Sequence, residues 1–180
     1  MSDELPPLRT LRNPRHPGIS DAVCENYSEA AEVCLARHHQ PPRTEFSIKC
    51  GGQTAKRVLG WQFPDDTAQR AWKNADDATR DGAYIVSIAA AERELGLVAL
   101  SRAETRTGAD YYVGPPNAQD LESAFRLEVS GIDQGSSSIV RRRLREKEEQ
   151  AQRGHSSLPA YASVVEFQGA NVVLQLVEEM

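Results

Sequence analysis

The sequence predicts an α/β domain in which helices cover a mixed sheet. Segments of helical period alternate with short apolar segments of strand length. From residue 65 the order is helix, strand, strand, strand, helix, strand, strand, so the helices must cover one sheet. A chain of 180 residues with 39% hydrophobic side chains can bury one sizeable core, which makes one domain the expectation.

Residues 1–18 hold Pro6, Pro7, Pro14 and Pro17, three Arg and few large apolar side chains. Burial of so little surface does not offset ordering entropy, and a disordered arm is expected. A single domain follows over 19–180, with 19–63 as an accessory helix and hairpin and 64–180 as the core. Ile19, Ala22, Val23, Tyr27, Ala30, Ala31, Cys34 and Leu35 recur at helical spacing, and Pro41-Pro42 stops that helix. Phe46, Ile48 and Cys50 alternate with polar residues before Gly51-Gly52, and Val58, Leu59, Trp61 and Phe63 follow, as in a hairpin. Asp65 or Asp66 caps a helix running through Trp72, with a break expected near Asp81-Gly82 and a second stretch to Leu95, stopped by Gly96. Residues 97–103 read as a strand, followed by a turn at Thr107-Gly108 and a strand over 110–113. Residues 125–130 alternate, with Phe125, Leu127 and Val129 on one face and Arg126, Glu128 and Ser130 on the other, and Gly131 closes them. Ser136 to Ser138 offer caps for a charged helix reaching about Arg153, and 161–167 and 172–177 read as closing strands.

Composition narrows the function classes. The net charge of −5 settles nothing about partners, because local patches decide phosphate contacts. No apolar run approaches the ~18 residues of a membrane span, and the N-terminus lacks the layout of a secretory signal, so a soluble cytoplasmic protein is expected. Cys24, Cys34 and Cys50 are odd in number and lack the paired spacing of zinc motifs, as expected of reduced core thiols. Cys34 and His38 lie four apart on a helix but have no further ligands beside them, which reads as core and surface. Trp61, Trp72, Tyr111 and Tyr112 read as packing residues. No P-loop, Gly-X-Gly-X-X-Gly or Gly-X-Ser-X-Gly pattern occurs, which disfavours P-loop hydrolysis and serine-hydrolase chemistry.

Carboxylates that periodicity points inward are expensive, so they are the candidates for chemistry. Glu92 falls on the stripe of Ile85, Ile88, Ala89 and Leu95 and is expected to face the sheet. Asp110 opens a strand directly after the Gly108 turn. Glu128 lies on the next strand with Ser130 on the same face. If these two strands are neighbours, Asp110 and Glu128 converge within the coordination sphere of Mg²⁺, which takes hard oxygen ligands and few of them from protein. Such an ion polarises a scissile phosphate and lowers the pKa of attacking water.

This element order, with Glu92 on the helix, Asp110 in Gly108-Ala109-Asp110-Tyr111-Tyr112 and Glu128 in Leu127-Glu128-Val129-Ser130-Gly131, resembles the PD-(D/E)XK nuclease superfamily over about residues 65–180. The resemblance implies a restriction-endonuclease-like core of helix, three strands, helix and strands, and Mg²⁺-dependent (or Mn²⁺-dependent) hydrolysis of DNA phosphodiesters, in a setting of bacterial defence or a mobile element. Ala109 stands where the family often has Pro, and Ser130 where it has the catalytic Lys, whose charge a hydroxyl does not supply. Some members carry that Lys on the following helix. Here Val140, Leu144, Lys147 and Ala151 share one helical face, which makes Lys147 the replacement, and Gln150 resembles the helix Gln of the exonuclease branch. The same helix holds Arg141, Arg142 and Arg143 and is net +3 between residues 141 and 153, suited to phosphates.

Blander uses compete. Glu128 can pair with Arg126 on a solvated face, Asp110 can form an Asx-turn after Gly108, and the Arg run can be a solvated helix face interleaved with Glu. The alternative function is a catalytically degenerate nuclease fold, acting as an interaction or regulatory partner in a multi-component system, as a homodimer or with another protein.

Overall fold

The alternating and apolar segments pair into one mixed seven-stranded sheet with four helices, and the computed structural model describes residues 3–178. In chain order the elements are α1 (Asp21–His38), β1 (Arg43–Cys50), β2 (Gln53–Gly60), α2 (Asp66–Ala71), α3 (Ala75–Leu95), β3 (Val98–Arg102), β4 (Tyr111–Gly114), β5 (Phe125–Ile132), α4 (Ser137–Arg153), β6 (Ala160–Glu166) and β7 (Asn171–Leu176). The strand order is β2-β1-β7-β6-β5-β4-β3, parallel at β1–β7 and β5–β6 and antiparallel elsewhere.

Strand alternation sorts the two faces. Leu127 and Val129 of β5, with Val172 and Leu174 of β7 and Phe46 and Ile48 of β1, join Ile85 and Ile88 of α3 in the main core. Arg126, Glu128 and Ser130 point to the opposite face, where α4 lies across β5 and β6. Helix α3 packs against α1 as well as the sheet, which is why residues 82–91 are buried all round and not along one stripe. The hairpin of β1 and β2 extends the sheet through β7, so residues 19–63 belong to the same core and do not form a separate layer. Trp61, Tyr111 and Tyr112 are buried as packing residues. No described helix is long and apolar enough to cross a membrane.

Three expectations need correction. Residues 3–18 are not a free arm: Leu5, Leu8 and Leu11 are buried in the main core, the Leu5 N–H donates to Val58 O (2.9 Å) and the Gly18 N–H donates to Ala99 O (3.0 Å). The segment thereby runs from one edge strand of the sheet to the other and partly covers both. Composition misled because the few apolar residues of this segment are nearly all buried; residues 1 and 2 lie outside the described residues. The helix does not break at Asp81-Gly82. It breaks at Lys73-Asn74, where the Asn74 side chain caps α3 by accepting from Asp76 N and Asp77 N. Gly82 instead allows close approach, since a Cβ there would come 2.8 Å from Ala31 Cα of α1. Gly131 likewise does not end β5, which continues to Ile132. A Cβ at Gly131 would lie 2.3 Å from Thr79 O, so this glycine lets the first turns of α3 settle on the strand.

Candidate active site

Strands β4 and β5 pair from Tyr111–Leu127 to Val113–Phe125, and β5 then runs on past the start of β4. The uncovered end of β5 opens a cleft of about 580 Å³ between the first turns of α3 and the middle of α4. Its walls include Tyr84, Asp110, Glu128, Arg143, Lys147 and Gln150.

Backbone pairing sets the two acids side by side. The Asp110 N–H donates to Leu127 O (2.8 Å), and the Val129 N–H donates to Asp110 Oδ2 (2.8 Å), so the bonds of Asp110 flank Glu128 on both sides. Tyr84 donates its hydroxyl proton to Asp110 Oδ1 (3.2 Å), and Arg102 Nη2 lies 3.7 Å from the same oxygen. The Arg102 guanidinium stacks over the Tyr84 and Tyr111 rings at 4.7 and 5.0 Å, and Tyr111 in turn hydrogen-bonds Tyr27 through their hydroxyls (2.8 Å).

Glu128 is 1% exposed. Lys147 Nζ donates to its Oε1 (2.8 Å) and to Gln150 Oε1 (3.1 Å), while Oε2 is buried without a partner. Burial, and then the nearby Asp110 charge, raise the Glu128 carboxyl above its ordinary range, against the opposing pull of Lys147. The hydroxyl of Ser130 does not stand alone where a lysine was expected, because Arg143 Nη1 donates to Ser130 Oγ (2.9 Å). Carboxylates thus form the floor and cations the α4 wall.

Asp110, Glu128, Lys147, Gln150 and Arg143 therefore meet in one cleft, and Glu92 does not. Eight residues beyond Tyr84, about 12 Å along α3, Glu92 is bound by Arg15 and by His16 Nε2 of the N-terminal strap. The acid that α3 brings to the cleft is Asp76 of its first turn. Periodicity identified Glu92 as inward but not which neighbour it meets, and that neighbour is the segment read as disordered. Arg141 and Arg142 also lie off the cleft. Successive helical residues turn by about 100°, which puts Arg141 in a groove beside Lys49 and Asn171 and leaves Arg142 exposed near Glu146 (3.8 Å). Arg126 does not pair with Glu128; its buried guanidinium donates to the carbonyls of Thr107 (3.0 Å), Ala151 (2.6 Å) and Leu158 (2.9 Å). His38 turns to Asp133 (2.9 Å) and Cys34 to Thr79 (3.9 Å), so they do not share a ligand, and burial pushes the Cys34 thiol up to about 11.

Tyr84 and Arg102 were missed. Each carried a weak signal: a phenol inside an otherwise aliphatic helical run, and a charged residue ending an apolar strand. Among the described residues no group of three or more His, Cys, Asp or Glu side chains is placed to hold a metal ion, so any cation here would depend on a pair.

No protein-family model matches the chain, and no curated protein or solved structure matches it.

Proposed function

We propose that the chain is a restriction-endonuclease-like nuclease that hydrolyses DNA phosphodiester bonds with Mg²⁺ held by Asp110 and Glu128. The observation that carries this reading is the buried Glu128 Oε2, which has no partner and lies beside a second carboxylate in an open cleft. A buried unpaired carboxylate oxygen is costly, and a divalent cation is a ligand that relieves it. Asp110 keeps lone pairs on both oxygens for the same ion, since each accepts one strong bond at most. Two protein carboxylates with the remaining positions left to water and phosphate suit Mg²⁺, which keeps several waters.

Bound there, Mg²⁺ supplies Lewis-acid polarisation of a phosphoryl oxygen and a lower pKa for attacking water. Lys147 is the cation nearest the carboxylates on the α4 wall and stabilises negative charge developing on the phosphate, the task a lysine at position 130 would have had. Arg143 lies on the same wall, held by Ser130. Tyr84 orients Asp110 by its hydrogen bond.

The contact of Arg102 with Asp110 favours a second reading, a degenerate site acting as an interaction partner. In that case Arg102 and Lys147 neutralise the two acids permanently. Plasmid, single-stranded DNA and RNA incubated with Mg²⁺, Mn²⁺ or EDTA decide between them, alongside Asp110→Asn and Glu128→Gln. The nuclease reading expects metal-dependent cleavage that both substitutions abolish. Inert wild-type protein whose melting temperature is indifferent to Mg²⁺ and Mn²⁺ refutes it.

A further inference from the structure

Past Gln150, which lines both it and the carboxylate cleft, lies a second cavity of about 500 Å³; Arg102 of its lining reaches to 3.7 Å from Asp110 Oδ1. Its walls are the loop between β3 and β4 and the end of α4, bearing Arg106, Arg153 and His155. None of these three side chains has a hydrogen-bond or ion-pair partner among the described residues. Several other arginines are matched by acids, among them Arg80 with Asp81, Arg57 with Glu94 and Arg143 with Glu146, while Arg141 and Arg145, which line neither this cavity nor the carboxylate cleft, form no ion pair among the described residues. Glu104, the acid on this wall, accepts a hydrogen bond from the Tyr112 hydroxyl (2.9 Å).

The cavity is held open by backbone packing. A Cβ at Gly154 would lie 2.1 Å from Thr107 O, and one at Gly108 would lie 2.8 Å from Gln150 O, so the loop rests directly on the last turn of α4. Arg126 ties the same two segments through Thr107 O and Ala151 O. Arg106 adopts φ 73°, in the left-handed region, and its carbonyl accepts the His155 N–H (3.1 Å). Arg106 and His155 are thereby joined through their backbones on the lining of one cavity, which Arg153 shares. The guanidiniums of Arg106 and Arg153 line one cavity without a matching acid, and an anion seated there is attracted to both. The lining has no Phe, Tyr or Trp side chain, and its one ring is the His155 imidazole.

We propose that this basin holds a backbone phosphate of a nucleic-acid strand, next along the strand from the phosphate in the carboxylate cleft. The assignment rests on the nuclease reading for the position of that neighbouring phosphate. Gln150, shared by the two linings, then forms the sill over which the strand passes.

The test is the double variant Arg106→Gln/Arg153→Gln, both positions exposed. Binding of a labelled single-stranded oligonucleotide and of its duplex is measured by fluorescence anisotropy with Ca²⁺ across a salt series. Loss of that one phosphate contact lowers the slope of log affinity against log salt by about 0.7 for a single strand. The affinity lost over a fourfold rise in salt then shrinks about 2.6-fold. Stabilisation of the fold by Mn²⁺ stays as in the wild type. Unchanged affinity and slope with both nucleic acids overturn the basin, and leave the nuclease reading standing if Asp110→Asn still abolishes cleavage. The reverse result, nucleic-acid binding that depends on Arg106 and Arg153 without metal stabilisation or cleavage, keeps the basin and removes the nuclease.

Discussion

Glu128→Gln is expected to stabilise the protein in the absence of metal. Burial and the Asp110 charge raise the Glu128 carboxyl in the fold. A raised carboxyl favours its protonated form, so its contribution to stability is complete below the unfolded value of about 4.3 and is lost as pH rises through the folded value. At neutral pH the ionised side chain therefore opposes folding. The unpartnered Oε2 represents a penalty of about 1–3 kcal/mol, which a neutral amide able to donate toward Asp110 removes. Against this stands the weakened partner of Lys147, whose side chain is 20% exposed, at up to about 1 kcal/mol. The difference is a gain of about 1 kcal/mol, or roughly 2–4 °C in melting temperature for a chain of this size. Urea and thermal denaturation at neutral pH in EDTA measure it. Millimolar Mg²⁺ or Mn²⁺ should reverse the order: metal at a hundredfold its dissociation constant adds about 2.7 kcal/mol to the wild type, and little to a variant with a weakened site. If Glu128→Gln loses 1 kcal/mol or more in EDTA, then Oε2 is well accommodated as it stands, and the argument for a cation at this carboxylate fails.

Two further outcomes probe the scaffold. Gly82→Ala improves helix propensity by about 1 kcal/mol, yet its Cβ falls 2.8 Å from Ala31 Cα and 2.9 Å from Ala31 N; a net loss of about 1–3 kcal/mol in urea denaturation is expected, and a variant as stable as the parent would show that α1 and α3 do not approach so closely. His16 is fully buried, its Nδ1 accepting the Ala99 N–H (3.0 Å) and its Nε2 bonded to Glu92, and burial lowers its pKa despite that carboxylate. A lowered histidine contributes stability that is present above its unfolded value of about 6.5 and is lost as pH falls through the folded one. The urea midpoint should therefore drop between about pH 7 and pH 5, and His16→Gln should flatten that drop; equal slopes in both proteins would contradict the neutral buried ring.

The order of elements was legible because its signals are local. Period-2 alternation marks Arg126, Glu128 and Ser130 as one face of β5 whatever they meet, and a turn before Asp110 puts it at a strand start wherever that strand lies. Helical period put Lys147 and Gln150 one turn apart, which is why Gln150 accepts from the Lys147 ammonium that reaches Glu128. The glycines were harder to read. Gly82 and Gly131 look like punctuation in one dimension, and whether a missing Cβ serves a turn or an approaching backbone depends on another segment.

Local pattern alone thus determined an α/β chain, the order of its helices and strands, and a pair of acids separated by eighteen residues as the place to look for chemistry. Tertiary structure alone decided that β4 stops short of β5 and leaves the pair in an open cleft, that Glu92 is taken by the N-terminal strap, and that Arg106, Arg153 and His155 gather at one cavity. The reason is physical: propensity and periodicity act within a few residues, whereas burial, charge pairing and close backbone approach act between segments that only the completed fold brings together.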